Sequence, residues 1–405
     1  DFLSIMSAIK KLHILFQEFL PTLNNIFTKA RYFGVITKYQ LNFVSLFSIV
    51  LFITLLILEV CALWKLVKIL TNGLYLYCSG VIVARVSGSI FYGNALLSLF
   101  LSSRFMKSWQ SLSALWLSTE LATRLSISPD LKIRKRTIFV VCFIGVCAFV
   151  EHTLSMISAT GLTIPPEEYF HRYILNSHGF LMEPQDYTIW LAIPIFVLSK
   201  LATALWNFQD LIIILISMGL TSRYHRLNLY VIHLVRREKQ LKETRKFGTE
   251  LYLQTQVWRR VREAYSRQAA LVRIVDRKLG ALVLLSNINN LYFICLQLYL
   301  GIHREKGSPI DRAYYLLSLS WLLFRACGVV LAAADVHAHS IQALNSLNLC
   351  PSAAYNVEVK RLKYQLSNDC VALTGMGFFT LNRQLLLEVA AAIVKYELVL
   401  IQYDH

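Results

Sequence analysis

The stretch LNFVSLFSIVLFITLLILEVCALWKL, residues 41–66, decides the fold class. Between Leu41 and Trp64 its one charged side chain is Glu59, and a helix of about 20 apolar residues rising 1.5 Å each crosses a hydrocarbon layer of roughly 30 Å. Comparable runs follow at Leu74–Leu101, Thr137–Leu162, Tyr187–Leu220, Ala269–Ile302, Tyr314–Ala334 and Leu385–Ile401, which makes seven expected spans. The composition agrees. Of 405 residues 56% are hydrophobic and 16% charged, with a mean hydropathy of +0.50, against roughly 25% charged in soluble domains. A cytosolic enzyme is excluded on these grounds, and the chain reads as an all-α membrane protein with seven transmembrane helices.

The same greasy chain carries a formal charge of +17, from 41 Lys and Arg against 24 Asp and Glu. Such a surplus serves either a nucleic-acid face or cytoplasmic loops obeying the positive-inside rule. Its distribution favours the loops. Lys10, Lys11, Lys29, Arg31 and Lys38 precede the first span; Arg104, Lys107, Arg124, Lys132, Arg134, Lys135 and Arg136 lie between the second and third; Arg236 through Arg262 form a basic block between the fourth and fifth; Lys360, Arg361 and Lys363 follow the sixth. The intervening loops are poor in cations, and the one at Gly161–Asp186 is acidic, with Glu167, Glu168, Glu183 and Asp186. The N-terminus is therefore expected in the cytoplasm and the C-terminus outside, which inverts the topology of a G-protein-coupled receptor, and no nucleic-acid partner is needed. Ile5–Leu20 is apolar at helical spacing but carries Lys10, Lys11, His13 and Glu18, so it reads as an amphipathic helix on the membrane surface. After the sixth span, Gln342–Leu381 reads as a short amphipathic hairpin in the cytoplasm.

The eight cysteines fall in spans or in the last cytoplasmic segment, without metal-ligand spacing, so neither a disulfide framework nor a metal or other cofactor is expected. Gly88-Ser89 lacks a nucleophile elbow, no phosphate loop occurs, and Glu151-His152 has no HExxH context, so no enzyme is expected. The polar residues inside spans are informative because they are expensive there. Glu151 and His152 sit mid-depth or higher in the third span, where they serve a ligand or pair with each other. Trp206 and Asp210 are four apart and share a helix face in the fourth; an aromatic plane with a carboxylate one turn away suits a sugar, while the alternative is a core Trp and an Asp paired with Arg325 or His152. The fifth span holds Asn287, Asn289, Asn290, Tyr292 and Gln297, and the sixth Tyr314, Tyr315, Ser318, Trp321 and Arg325. Converging amides, hydroxyls and aromatics fit a small, polar, uncharged ligand. A transporter is the competing reading, weakened because no repeat relates the two halves.

The segment Gly375-Met-Gly-Phe-Phe-Thr-Leu-Asn-Arg383, followed by Lys395-Tyr-Glu-Leu-Val-Leu-Ile-Gln-Tyr403, resembles the C-terminal signature of insect gustatory receptors, and the glutamate after the tyrosine resembles the sugar-receptor branch. Glu151-His-Thr-Leu, Trp206-Asn-Phe-Gln-Asp-Leu and Asn289-Asn-Leu-Tyr-Phe-Ile-Cys are similar to the same branch, and the likeness runs from about Leu41 to Tyr403. Lys395 and Tyr403 depart from the usual threonine and phenylalanine. The resemblance implies a plasma-membrane receptor of sensory neurons that acts as a ligand-gated, non-selective cation channel. It implies a homotetramer, or a hetero-oligomer with related receptors, in membrane lipid. A sugar or another tastant would bind between the second and sixth helices, at Glu151, His152, Trp206, Asp210, Asn290, Tyr292, Trp321 and Arg325. The last helix would form the pore, with Gln402 lining it, Leu398 and Ile401 as its constriction, and Lys395 near its mouth. On this reading residues 1–40 form the cytoplasmic N-terminal segment, 41–334 the first six spans with the ligand-binding bundle, 335–384 a cytoplasmic anchor, and 385–405 the pore helix and extracellular C-terminus.

Overall fold

The computed structural model describes residues 19–36, 43–71, 79–122, 125, 127–161, 165–241, 249–302, 309–351 and 355–403, the last eight of these as backbone only. Eleven α-helices organise them: α1 (Phe19–Lys29), α2 (Phe43–Thr71), α3 (Ser79–Leu121), α4 (Ile133–Thr160), α5 (Pro166–His178), α6 (Ile189–Leu241), α7 (Thr249–Ile302), α8 (Pro309–Ile341), α9 (Ala343–Asn348), α10 (Val357–Asn368) and α11 (Arg383–Tyr403). The β structure among the described residues is one isolated bridge between Thr374 and Thr380. Six helices, α2, α3, α4, α6, α7 and α8, are long and apolar enough to cross a membrane, and they coincide with the first six expected spans. The stretch expected as a seventh is helical in α11, 21 residues long. The expected amphipathic helix over residues 5–20 lies outside the described residues except at its end.

Helix length separates two halves of the bundle. α6 and α7 have 53 and 54 residues, so each runs about 80 Å, more than twice the hydrocarbon thickness. Their apolar ends enter the bilayer, and their other ends continue beyond it as an amphipathic bundle. Along α7 the inward face repeats at three- and four-residue steps through Trp258, Val261, Tyr265, Gln268, Val272, Val275, Leu279 and Leu282, all nearly inaccessible. α2 and α4 turn Ile53, Ile57, Val60, Trp64, Phe139, Val146 and Phe149 outward, the lipid-facing surface of spans that pack on the rest through one side.

The bundle beyond the membrane is tied by charge. Glu120 pairs with Arg226 and, at 3.7 Å, with Arg223; Asn228 accepts from the Tyr265 hydroxyl at 2.5 Å and donates to the His339 carbonyl at 2.9 Å. Within the segment expected as a hairpin, residues 342–381, stand two short helices, α9 and α10, and a turn, while α8 continues past Ala334 to Ile341. Arg262 and Arg361 both donate to the Glu358 carboxylate, at 2.7 and 2.8 Å. The Arg262 bond above all holds the Glu358 carboxyl below its usual range. A depressed acid contributes stability above its unfolded pKa, about 4.3, and loses it as pH falls through the folded value. Thermal midpoints of the wild type and Glu358→Gln are therefore expected to differ at pH 7 and to converge as pH falls through the lowered value of the folded carboxyl.

The turn that precedes α11 carries the Gly375–Phe379 motif. Met376 and Gly377 have φ of 54° and 82°, and the Thr374 amide and hydroxyl donate to Asp276 on α7 at 2.6 and 2.9 Å. Gly280, one turn further along α7, is required by proximity: a Cβ there would stand 3.1 Å from the Met376 backbone nitrogen. The start of α11 is thus clamped to α7, and Arg383 bonds Asp335 of α8 at 3.1 Å.

Candidate functional site: a polar cavity within the membrane bundle

Between α3, α4, α5, α6, α7 and α8 lies a cavity of about 620 Å³, inside the range of roughly 300–1,000 Å³ typical of ligand pockets. Its wall combines Phe91, Trp206, Phe293 and Trp321 with Glu151, His152, Asn176, Ser177, His178, Asn207, Gln297 and Ser318. Trp206 is held on three sides. Its ring lies 4.6 Å from that of Phe293, the Arg325 guanidinium stands 4.3 Å over it, and its Nε1 donates to Asn290 Oδ1 at 3.2 Å. Glu151 accepts from the Ser318 hydroxyl at 3.1 Å, joining α4 to α8.

Beneath this wall is a polar cluster that reaches the cavity through Asn207 and Arg325 and is sealed at Asp210. Asp210 has no exposed surface and Arg325 is 3% exposed; they form an ion pair at 2.8 Å. Asp210 also accepts from Ser286 at 2.5 Å and Asn290 at 3.3 Å, while Arg325 donates to Asn207 at 2.9 Å and Asn290 at 3.1 Å. In lipid the hydrophobic effect does not draw helices together, so packing and such polar pairs carry the association. This cluster joins α6, α7 and α8 at mid-bundle. Of the two sequence readings of Asp210, the structure realises the pair with Arg325.

The residues expected from sequence are partly brought together. Glu151, His152, Trp206, Trp321 and Arg325 line the cavity; Asp210, Asn290 and Tyr292 are not on its wall. Asp210 and Asn290 stand behind it in the polar cluster, and Phe293 takes the wall position next to Tyr292, whose ring meets it edge-on at 5.1 Å. In α11, Lys395 is exposed, and Leu398, Ile401 and Gln402 fall in its last turns, where side chains lie outside the described residues.

The sequence reading missed α5. Its residues lie in a segment read only as an acidic loop, although Pro165-Pro166-Glu167-Glu168 is a helix start, with Pro and acids in the first turn. α5 brings Tyr173, Asn176, Ser177 and His178 to the cavity. The Lys200 ammonium lies 4.5 Å over the Tyr173 ring and donates to its hydroxyl at 2.9 Å. His178 is 6% exposed, and among the described residues neither ring nitrogen has a protein hydrogen-bond partner; the same holds for Nε2 of His152. Burial, assisted by Lys200 and His152, pushes the His178 imidazole down to about 4. Neutral at physiological pH, it offers one donor and one acceptor, the complement of an alcohol.

Residues 36–405 match the sequence profile of the trehalose receptor family. The chain belongs to the trehalose receptor family. It is similar to the Drosophila melanogaster gustatory receptor for sugar taste 64a, with 30% identity over 373 residues covering 88% of this chain and 76% of that protein. It is also similar to the same fly's gustatory receptor 5a for trehalose, with 33% identity over 260 residues, 64% of this chain and 55% of that one. The sequence resemblance to sugar-branch insect gustatory receptors is thereby confirmed, and the family is one of receptors and not of enzymes. The receptor's fold is similar to that of the insect olfactory receptor OR5 from Machilis hrabei, with a TM-score of 0.65 over the full length of both chains at 15% identity. OR5 in complex with eugenol is also similar, with a TM-score of 0.63 over 94% of this chain and 98% of that one, at 12% identity. With its six membrane-spanning candidates, the receptor is a multi-pass membrane protein.

Proposed function

We propose that this receptor is a sugar-gated, non-selective cation channel of taste neurons. It has seven spans, with a cytoplasmic N-terminus and an outward-opening sugar site in each subunit, and four last helices surround the pore. The observation that carries this reading is the polar cavity: aromatic faces for the apolar side of a sugar ring stand beside paired and unpaired hydrogen-bonding groups, in a chain of the trehalose receptor family. Trp206, Trp321 and Phe293 supply the faces; Glu151, His152 and His178 supply acceptors and donors for hydroxyls. Asp210 and Asn290 act behind the wall, by holding Arg325 and Trp206.

Gating follows from linkage: a ligand opens a channel only through preferential binding to the open state. Sugar draws the outer ends of α6, α7 and α8 together around the cavity, and α7 passes the change to α11, with which it is clamped at Asp276 and Thr374. Gln402 lines the pore, Leu398 and Ile401 constrict it, and Lys395 stands at its approach. The surplus of basic residues on the expected cytoplasmic segments supports the orientation.

Whole-cell recording of cells expressing the full chain under a panel of mono- and disaccharides is expected to show sugar-evoked cation current, and Gln402→Ala to shift its reversal potential in biionic solutions. Saturable sugar uptake without current would establish a carrier instead, and an unshifted reversal potential would remove Gln402 from the pore. An epitope tag after His405 is expected to be accessible on unpermeabilised cells.

A further inference from the structure

A second cavity, of about 320 Å³, lies between α7, α8 and α11. Its wall is almost wholly apolar, including Ile288, Leu323, Ala326, Leu386 and Ala390. Two amides reach it, and both are engaged: Asn287 donates to the Val283 carbonyl at 2.8 Å, and Asn290 to Asp210 at 3.3 Å while its Oδ1 accepts from Trp206 and Arg325. A sugar finds nothing to bond there. Water needs two to four polar partners to occupy such a space, and an apolar cavity of about 150 Å³ already stays dry and takes benzene. The two rim residues Ile288 and Leu323 are 58% and 40% exposed, on helices that span the membrane. On spans read as crossing the bilayer, the mouth of the single chain therefore opens toward hydrocarbon.

We infer that this cavity is a binding site for the acyl chain of a membrane lipid, wedged behind the last helix. Asn290 makes the site more than a filled void. One face of this residue belongs to the apolar cavity, and the other bonds Trp206 and Arg325 on the wall of the polar cavity. A chain that props α11 away from α7 and α8 thus bears on the same side chain that positions Trp206. The lipid site itself does not rest on the sugar-channel reading; its influence on the sugar response does.

The test uses the full receptor in nanodiscs of phosphatidylcholine doped with phosphatidylcholine bearing a diazirine within one acyl chain. Photolabelling of peptides covering 323–330 and 385–393 is expected to saturate with probe mole fraction, whereas labelling of the lipid-facing Val146–Val150 rises linearly. Ala326→Phe and Ala390→Phe, made separately, fill the cavity and are expected to cut the saturable labelling at least fivefold without changing that at 146–150. Labelling at the cavity that rises linearly in the wild type overturns the proposal without any variant. So does a crosslink between two copies of the chain through Cys327, which lines the cavity, because a second copy would then cover the mouth. If sugar currents are absent while the saturable labelling persists, the channel reading fails and the lipid site stands. In a conducting receptor, both fillings are expected to change the half-maximal sugar concentration at least threefold.

Discussion

Arg325→Ala is expected to cost the receptor about 3–5 kcal/mol, the usual penalty for removing one partner of a buried ion pair. The loss exceeds that of one bond because Asp210, with no exposed surface, would lose its counter-ion and keep only Ser286 and Asn290 as partners. Most of the expressed protein is then expected to aggregate or to be degraded before reaching the cell surface. Surface biotinylation and the thermal midpoint of the monodisperse peak in detergent measure it. Arg325→Met combined with Asp210→Leu is expected to recover much of the loss, because neither charge is left unpaired. Asp210→Asn falls between, retaining an acceptor for Ser286. A single Arg325→Ala variant as stable as the wild type would show that the pair is solvated and the cluster is not sealed at Asp210.

Trp206→Ala is expected to raise the half-maximal sugar concentration roughly 10- to 100-fold, equivalent to about 1.4–2.7 kcal/mol. The ring presents an aromatic face to the cavity and is fixed by Phe293, Arg325 and Asn290, so alanine removes both a stacking surface and the order imposed on Arg325. Trp206→Phe keeps a face but loses the bond to Asn290, and its shift is expected to be smaller. Concentration–response curves at matched surface expression make the comparison. An unaltered curve for Trp206→Ala would exclude this wall from the sugar site. His178→Ala provides a second probe of the same cavity, from α5.

Much of the architecture was legible because a bilayer imposes simple rules. The first six spans appear as long apolar helices where hydropathy places them, since a backbone in hydrocarbon must satisfy its own hydrogen bonds. The site was less legible. Trp206, Trp321, Glu151 and His152 stood out as costly or bulky groups inside spans, and they line one cavity. Asp210 and Arg325 stood out for the same reason, but cost alone does not distinguish a ligand contact from a pair that stabilises the bundle. The run from Asn287 to Gln297 has polar residues on several helix faces, and a neighbour 100° away separates Phe293 on the cavity wall from Tyr292 beside it. Lys200 and Arg325 are cations inside spans, which the distribution of charge among the loops does not explain. There they are matched by the Tyr173 ring and hydroxyl and by Asp210.

Residues 41–66, read alone, committed the chain to a membrane, because no soluble fold requires so long an apolar run with so few charges. Periodicity and charge likewise determined the helical class. The segments 375–383 and 395–403 and the polar spans marked the family. Tertiary structure alone decided that Asp210 faces Arg325 and is closed to ligand, that α5 folds back to complete the cavity, and that Asn290 stands between two cavities of opposite character. Each of these depends on which faces of helices distant in sequence meet, and spacing along one helix carries no information about its neighbour's rotation or depth.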